Sequence, residues 1–312
     1  MTNPASLFTM RAIILGSAAG GGVPQWNCGC PNCTAARNGG RARTQSSVAV
    51  SADGARWILL NASPDLRTQL AAHRPLWPSG PRGTPVGAVV LTDGEIDHTL
   101  GLLLLRESAA PLPVYAPAGV AALLGDQWPL YRVLSAYAGV EPRVLPEGGA
   151  VALADAVGAP LGISCRAAAV ARRPPRYARA TGAATFDVGL RLTDERTGGT
   201  IAYVPTAGAL DDAVRSVAAG ADVLLFDGTF WSDDELRTAG VGGDAPGARE
   251  MGHLPVGGPG GSLELLPRLG AKRVVLVHIN NTNPILCRSS AERARVEAAG
   301  IVVGEDAMEF EL

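Results

Sequence analysis

The sequence predicts an α/β fold in which two mixed sheets pack face to face, with helices on their outer surfaces, in one domain. Three observations lead there. Short runs rich in Val, Ile and Leu recur in two sets along the chain, and each set is followed by helix-like stretches. The 39 glycines and 23 prolines among 312 residues imply many tight turns, which favours strands and loops over a helical bundle. No linker or solenoid-period repeat separates the sets, so they read as two halves of one large domain over residues 10–312.

In chain order, Ile13 to Leu15 reads as a strand running into the glycine-rich turn Gly16 to Gly22. Ser46 to Ser51 and Ala55 to Asn61 form a hairpin around Asp53-Gly54, a dipeptide suited to tight reversal. Val86 to Leu91 is a buried strand, Leu100 to Glu107 a helix, and Val114 to Ala116 with Gly119 to Leu124 repeat that order. Short β segments follow at Val151 to Leu153, Ile163 to Ala169, Thr185 to Leu192, Gly199 to Tyr203 and Val223 to Phe226. Gly261 to Leu266 reads as a helix, Arg273 to Val277 as a strand and Ala291 to Ala299 as a last helix. The glycine-rich stretch Gly240 to Gly261 reads as a mobile loop near the site.

Composition narrows the class. Hydrophobic residues make up 47% and charged residues 18%, so a substantial core can be buried. A net charge of -2 gives no electrostatic reason to expect nucleic acid. No apolar run reaches the roughly 20 residues that cross a bilayer. Met1 to Thr9 lacks a secretory signature and reads as a disordered extension. A soluble, cytoplasmic protein with no membrane partner is expected, and a homodimer stays open.

The strand at Val86 to Leu91 runs into Thr92-Asp93-Gly94-Glu95-Ile96-Asp97-His98-Thr99-Leu100-Gly101. Acids and an imidazole therefore crowd a strand's carboxyl end, where α/β folds place their chemistry. The chain has only four histidines: His73, which reads as a surface residue at a helix end, His98, His253 and His278. His278 ends the strand Val274 to Val277. Asp97, His98 and His278 together are the ligand set of a non-haem iron(II) centre, which leaves neighbouring positions free for dioxygen and substrate. The same set suits zinc. The plainer alternative makes Asp97 a cap on the Leu100 helix and His98 a satisfied polar residue.

Cys28, Cys30 and Cys33 form a second constellation. A cytoplasmic chain with five cysteines is not a disulfide framework, and C-x-C-x-x-C spacing suits three thiolates on a structural zinc with a fourth ligand from elsewhere. Otherwise the thiols are merely clustered and reduced.

The loop from Thr92 to Gly101 resembles the metal-binding loop of the metallo-β-lactamase superfamily, Thr-His-x-His-x-Asp-His-x-x-Gly. Asp93 and Glu95 stand where that pattern has its first two histidines, while Asp97, His98 and Gly101 keep their places. The superfamily's first metal needs a third histidine from mid-chain, and none lies between His98 and His253. Tyr203 to Gly208 resembles the segment of the metal-bridging aspartate, with Pro205 in the acid's place. All these changes remove the same metal, so the loop reads as rebuilt around one ion. Asp227, and His253 after Met251-Gly252, resemble the proton-shuttling acid and histidine of the tRNA-maturing branch. A carboxylate so placed orients an imidazole and tunes its pKa; a helix cap and a loop histidine are the alternatives. The thiol cluster resembles that of a phosphodiesterase branch, completed by a histidine three residues after the last active-site histidine. Asn281 holds that position here as an oxygen ligand, and Cys287 is the other candidate.

Gly20 to Cys33, Arg43 to Ser47, Asn61 to Asp65, Asp93 to His98, Met251 to His253 and His278 to Pro284 together resemble the protein B family of pyrroloquinoline quinone (PQQ) biosynthesis. The resemblance implies an αββα metallo-β-lactamase fold and a part in making PQQ from a Glu- and Tyr-bearing peptide. It implies an enzyme that hydroxylates the tyrosine ring of the precursor peptide or Glu-Tyr dipeptide with Fe(II) and dioxygen. Asp97, His98 and His278 then hold the iron, and His253 and Asp227 assist proton transfer. Asp93 and Glu95 either ligate or receive the substrate amine. The alternatives are a carrier moving PQQ or its precursor towards the periplasm, and a mononuclear phosphodiester hydrolase.

Overall fold

A computed structural model of the chain describes residues 9–171, 174–178, 185–241 and 243–312. The extension expected over Met1 to Thr9 lies, apart from Thr9, outside the described residues. One seven-stranded sheet contains β1 (Arg11–Gly16), β2 (Ser47–Ser51), β3 (Trp57–Leu60), β4 (Val86–Val90), β5 (Leu112–Ala116), β6 (Val140–Val144) and β14 (Glu309–Glu311). The other contains β7 (Ala150–Ala154), β8 (Pro160–Ala171), β9 (Asp187–Asp194), β10 (Thr200–Val204), β11 (Val223–Asp227), β12 (Arg273–Val277) and β13 (Val302–Val303).

Each sheet is antiparallel on one side and parallel on the other. β1, β2 and β3 pair antiparallel and β3 to β6 parallel; β7 to β10 pair antiparallel and β10 to β13 parallel. The inner parallel strands read as nearly unbroken apolar runs because both their faces are covered, whereas β6, at the sheet edge, carries Glu141 and Arg143 and is largely exposed. Ile58, Val90, Leu190, Leu225 and Val277 meet between the sheets. The outer face of one sheet packs Leu59, Val89 and Val114 against Leu66 and Val120, and that of the other packs Leu224 and Leu276 against Val214 and Val296. Those partners lie on short helices, so the layers are the expected αββα sandwich.

The Asp53-Gly54 hairpin forms as read. Asp53 Oδ1 accepts from the amides of Ala55 and Arg56 at 2.9 and 2.8 Å, and Gly54 takes φ +73. The expected helix at Leu100 to Glu107 is instead six residues of tighter 3-10 turn, Leu100–Leu105. His73 is not on the surface. The helix Leu66–Ala72 is followed at once by the turn Arg74–Leu76, which folds over the imidazole and leaves it 8% exposed.

Candidate metal centre

Three strand ends meet at one edge of the sandwich. β4 leads to the short helix Ile96–Thr99, which carries Asp97 and His98. β11 ends at Asp227 and β12 is followed by His278, and parallel pairing sets Asp227 opposite Val277. His278 adopts φ 54, a left-handed conformation that costs energy in a residue with a Cβ and clusters at functional sites.

The Asp93 to His98 loop is clasped by the Asn61-Ala62-Ser63 segment. Asn61 Oδ1 accepts from the Thr92 amide at 2.9 Å, and its Nδ2 donates to Thr92 Oγ1 at 2.9 Å. The Ala62 amide donates to the His98 carbonyl at 2.7 Å and its carbonyl accepts from Gly101 at 2.9 Å. A Cβ on Gly101 would lie 2.2 Å from the Ser63 carbonyl oxygen, which explains glycine at the end of the motif.

Asp97, His98 and His278 converge, with ligand atoms within 4.8 Å of one another. Asp97 Oδ2 lies 3.3 Å from His278 Nε2 and 3.8 Å from His98 Nε2. Metal–ligand bonds of about 2.0–2.2 Å set neighbouring donors roughly 3–3.5 Å apart, so the set fits one ion. Neither plainer reading accounts for His98. Its Nδ1 lies 2.8 and 2.7 Å from the two oxygens of Asp93, so Nδ1 carries a proton and Nε2 is the nitrogen left to take a second proton or, in its place, a metal ion. That Nε2 is buried without a hydrogen-bond partner among the described residues, facing the Asp97 carboxylate. A cation satisfies both. Gly20 completes the cradle, since a Cβ there would meet Asp97 Oδ2 at 3.2 Å.

The electrostatics agree. Burial opposes charge on both Asp97 and His98, yet the two imidazoles hold the Asp97 carboxyl below its usual range, and Asp93 and Asp97 raise the His98 imidazole well above its own. The field that favours a proton there favours a metal ion in its place. Burial, with Asp93 and Asp97 nearby, pushes the Glu95 carboxyl up to about 7.

Asp227 and His253 are paired, and no helix begins at Asp227. Asp227 Oδ2 accepts from His253 Nδ1 at 2.8 Å and from the Ala207 amide at 3.0 Å. Its Oδ1 accepts from the Thr229 amide at 2.9 Å and from Thr229 Oγ1 at 2.6 Å. Burial works against the Asp227 charge, but His253 and these donors hold the carboxyl below its usual range. The His253 ring stacks on His278 with centroids 5.5 Å apart.

A cavity of about 940 Å³ opens on this centre. Asp97, His98, His278, His253 and Glu95 reach its wall, and so does the Gly240 to Gly261 stretch through residues such as Met251. Asp93 does not. Expected as a ligand or an amine receptor, it lies 1% exposed behind His98, its oxygens accepting from His98 Nδ1, Thr92 Oγ1 and the Glu95 amide. Glu95 lies outside the converging ligand set. Sequence reasoning missed Asp187, Arg176 and Arg237 on the wall. It also missed Thr229, whose only signal is its place two residues after Asp227. Burial, together with Asp93 and Glu95, pushes the Asp187 carboxyl up to about 8.

The thiols of Cys28, Cys30 and Cys33 form a separate cluster, again within 4.8 Å of one another. Thiolates bonded at about 2.3 Å to a tetrahedral zinc stand ~3.8 Å apart, which this grouping accommodates. Asn281 lies over it as the C-terminal strand-end loop predicts, with Nδ2 3.0, 3.6 and 3.4 Å from the three sulfurs. Turned over, the amide presents Oδ1 to an ion. Cys287, the other candidate, lies outside the cluster: it is exposed, 3.4 Å from Ser289 Oγ. The loop carrying the thiols bridges to the His278 strand end through Ala18 and Ile279.

Residues 56–279 match the model of the β-lactamase superfamily domain. Coenzyme PQQ synthesis protein B of Cupriavidus necator is 46% identical over 305 residues, covering 96% of this chain and 98% of that protein. Its counterpart in Methylococcus capsulatus is 45% identical over 305 residues, covering 96% and 99%. The crystal structure of Zn(2+)-bound PqqB from Methylobacterium extorquens superposes with a TM-score of 0.86 at 40% identity, covering 97% of this chain and 100% of that one. With its fold and relatives this similar along nearly its whole length, the chain belongs to the coenzyme PQQ synthesis protein B family, within the β-lactamase superfamily.

Proposed function

We propose that this chain acts in PQQ synthesis as an iron- and O2-dependent hydroxylase of the tyrosine ring, on a Glu- and Tyr-bearing precursor peptide or Glu-Tyr dipeptide. The observation that carries the proposal is the buried, unpartnered Nε2 of His98, facing Asp97 and His278 in a two-imidazole, one-carboxylate set. Those three residues hold Fe(II), and zinc occupies the same donors in a protein purified without iron. Bound there, iron supplies the one-electron chemistry through which dioxygen reacts with an aromatic ring. One oxygen atom would enter a ring C–H bond and the other leave as water, with two electrons from an external reductant and two protons from solvent.

The chain's own residues supply the rest. His253, fixed at Nδ1 by Asp227, turns its other nitrogen to the cavity and takes or returns the phenolic proton. Glu95 and Asp187, whose carboxyls are pushed up to about 7 and about 8, give the wall hydrogen-bonding groups that gain charge beside a substrate ammonium, and Arg176 and Arg237 add groups suited to carboxylates. The thiol cluster with Asn281 holds a structural zinc. A plain carrier has no use for a metal set supported from behind by Asp93, and among the described residues no helix is long and apolar enough to cross a membrane. Iron-loaded protein incubated with a Glu-Tyr peptide, dioxygen and reductant is expected to add one oxygen atom to the tyrosine. Unchanged substrate mass would overturn the proposal.

A further inference from the structure

We infer that Thr229 is a positioning residue whose hydroxyl lets one buried carboxylate, Asp227, fix two imidazoles, His253 directly and His278 at one remove. The inference rests on His278 being a metal ligand and not on the oxygen chemistry.

Three groups surround Thr229 Oγ1. Asp227 Oδ1 lies at 2.6 Å, the His278 carbonyl oxygen at 2.8 Å and His278 Nδ1 at 2.8 Å. The hydroxyl has one proton, and two of its neighbours can only accept. Were that proton given to His278 Nδ1, the carboxylate and the carbonyl would both face a bare oxygen lone pair, in a place where Thr229 is 3% exposed. The arrangement that relieves this has the hydroxyl proton shared between its two acceptors, Asp227 Oδ1 and the His278 carbonyl, while Oγ1 accepts from Nδ1–H of His278. A proton is thereby held on Nδ1, which leaves Nε2, 3.3 Å from Asp97 Oδ2, as the nitrogen that can ligate a cation lying between them.

The left-handed backbone of His278, φ 54, brings its own carbonyl to the same hydroxyl and so locks ring and main chain to one group. Asp227 accepts four hydrogen bonds in all, from Ala207, His253 and twice from Thr229, which fills its capacity. Asp227 thus serves both the proposed proton carrier and, through Thr229, the metal ligand stacked upon it.

The test pairs Thr229→Val with Thr229→Ser in the full chain, using zinc alone as the probe in competition with a chromophoric chelator. T229V keeps the shape and removes the hydroxyl. It is expected to weaken the active-site metal about 10- to 100-fold while the thiol-bound zinc is retained, and T229S is expected to restore near-native affinity. Wild-type affinity in T229V, or equal loss in T229S, would overturn the inference. Nitrogen-15 spectra of the four histidines in zinc-loaded wild-type protein give a second readout that needs no variant. The His278 resonance is expected to show a protonated Nδ1, and a protonated Nε2 would overturn the inference by itself.

Discussion

His98 gives its Nδ1 proton to Asp93, both of whose oxygens lie within 2.8 Å of that nitrogen. Asp93 occupies the place of a metal-binding histidine in the superfamily pattern, and here it supports the imidazole of His98, the proposed ligand. Support of this kind fixes ring orientation and raises ligand basicity. Asp93→Asn keeps the shape and removes the charge, so active-site metal affinity is expected to fall about 10- to 100-fold with the thiol-bound zinc unchanged. Metal analysis of dialysed protein reads both ions at once, and full retention of both contradicts the supporting role.

Gly101 is required by close packing and not by chemistry. A Cβ there would meet backbone oxygens of Ser63 and Ala62 at 2.2 and 2.7 Å, and neither can move without opening the clasp on the metal loop. Gly101→Ala is expected to cost about 2–3 kcal/mol or more in urea unfolding. A loss under ~0.5 kcal/mol would mean that the clasp yields freely.

Asn281 overlies the thiols in the position from which a fourth ligand would come. Asn281→His replaces a weak oxygen donor by an imidazole, so zinc is expected to be held more tightly and released more slowly to a chelator. Unchanged release would place the fourth ligand elsewhere.

Glu235 makes stability depend on pH. Burial pushes its carboxyl up to about 7, against hydrogen bonds from Thr282 and the Trp231 amide that favour its charged form. The folded chain therefore keeps a proton that the unfolded chain releases near the ordinary value of 4.5. The resulting stability is present in full below 4.5 and is lost as pH rises through about 7, with a slope of at most ~1.4 kcal/mol per pH unit. Glu235→Gln removes the titration. Its stability relative to wild type is expected to improve as pH rises through that window, and a flat difference in denaturant midpoints contradicts the assignment.

The sandwich was legible in the sequence because its parallel strands are buried on both faces, so Val86–Val90, Val223–Asp227 and Arg273–Val277 read as plain apolar runs ending at the chemistry. The meeting of Asp97, His98 and His278 was legible because histidines are scarce and two of them follow strand ends. Direction was not. Sequence order places Asp93 beside Glu95, but the turn after Thr92 sends Asp93 behind His98 and Glu95 to the cavity wall. Asp187, distant in sequence from the loop, has no local pattern to mark it and reaches the wall only because β9 runs past it. Thr229 is invisible without the left-handed turn at His278. His73 looked superficial because its burial is due to the turn that follows it.

The most direct test of a single rebuilt metal centre is the metal content per chain of wild-type protein and of His98→Ala. Wild type is expected to hold one ion at Asp97, His98 and His278 and one at the thiols, and the variant to keep only the thiol-bound zinc. Equal retention of both ions in His98→Ala would contradict it.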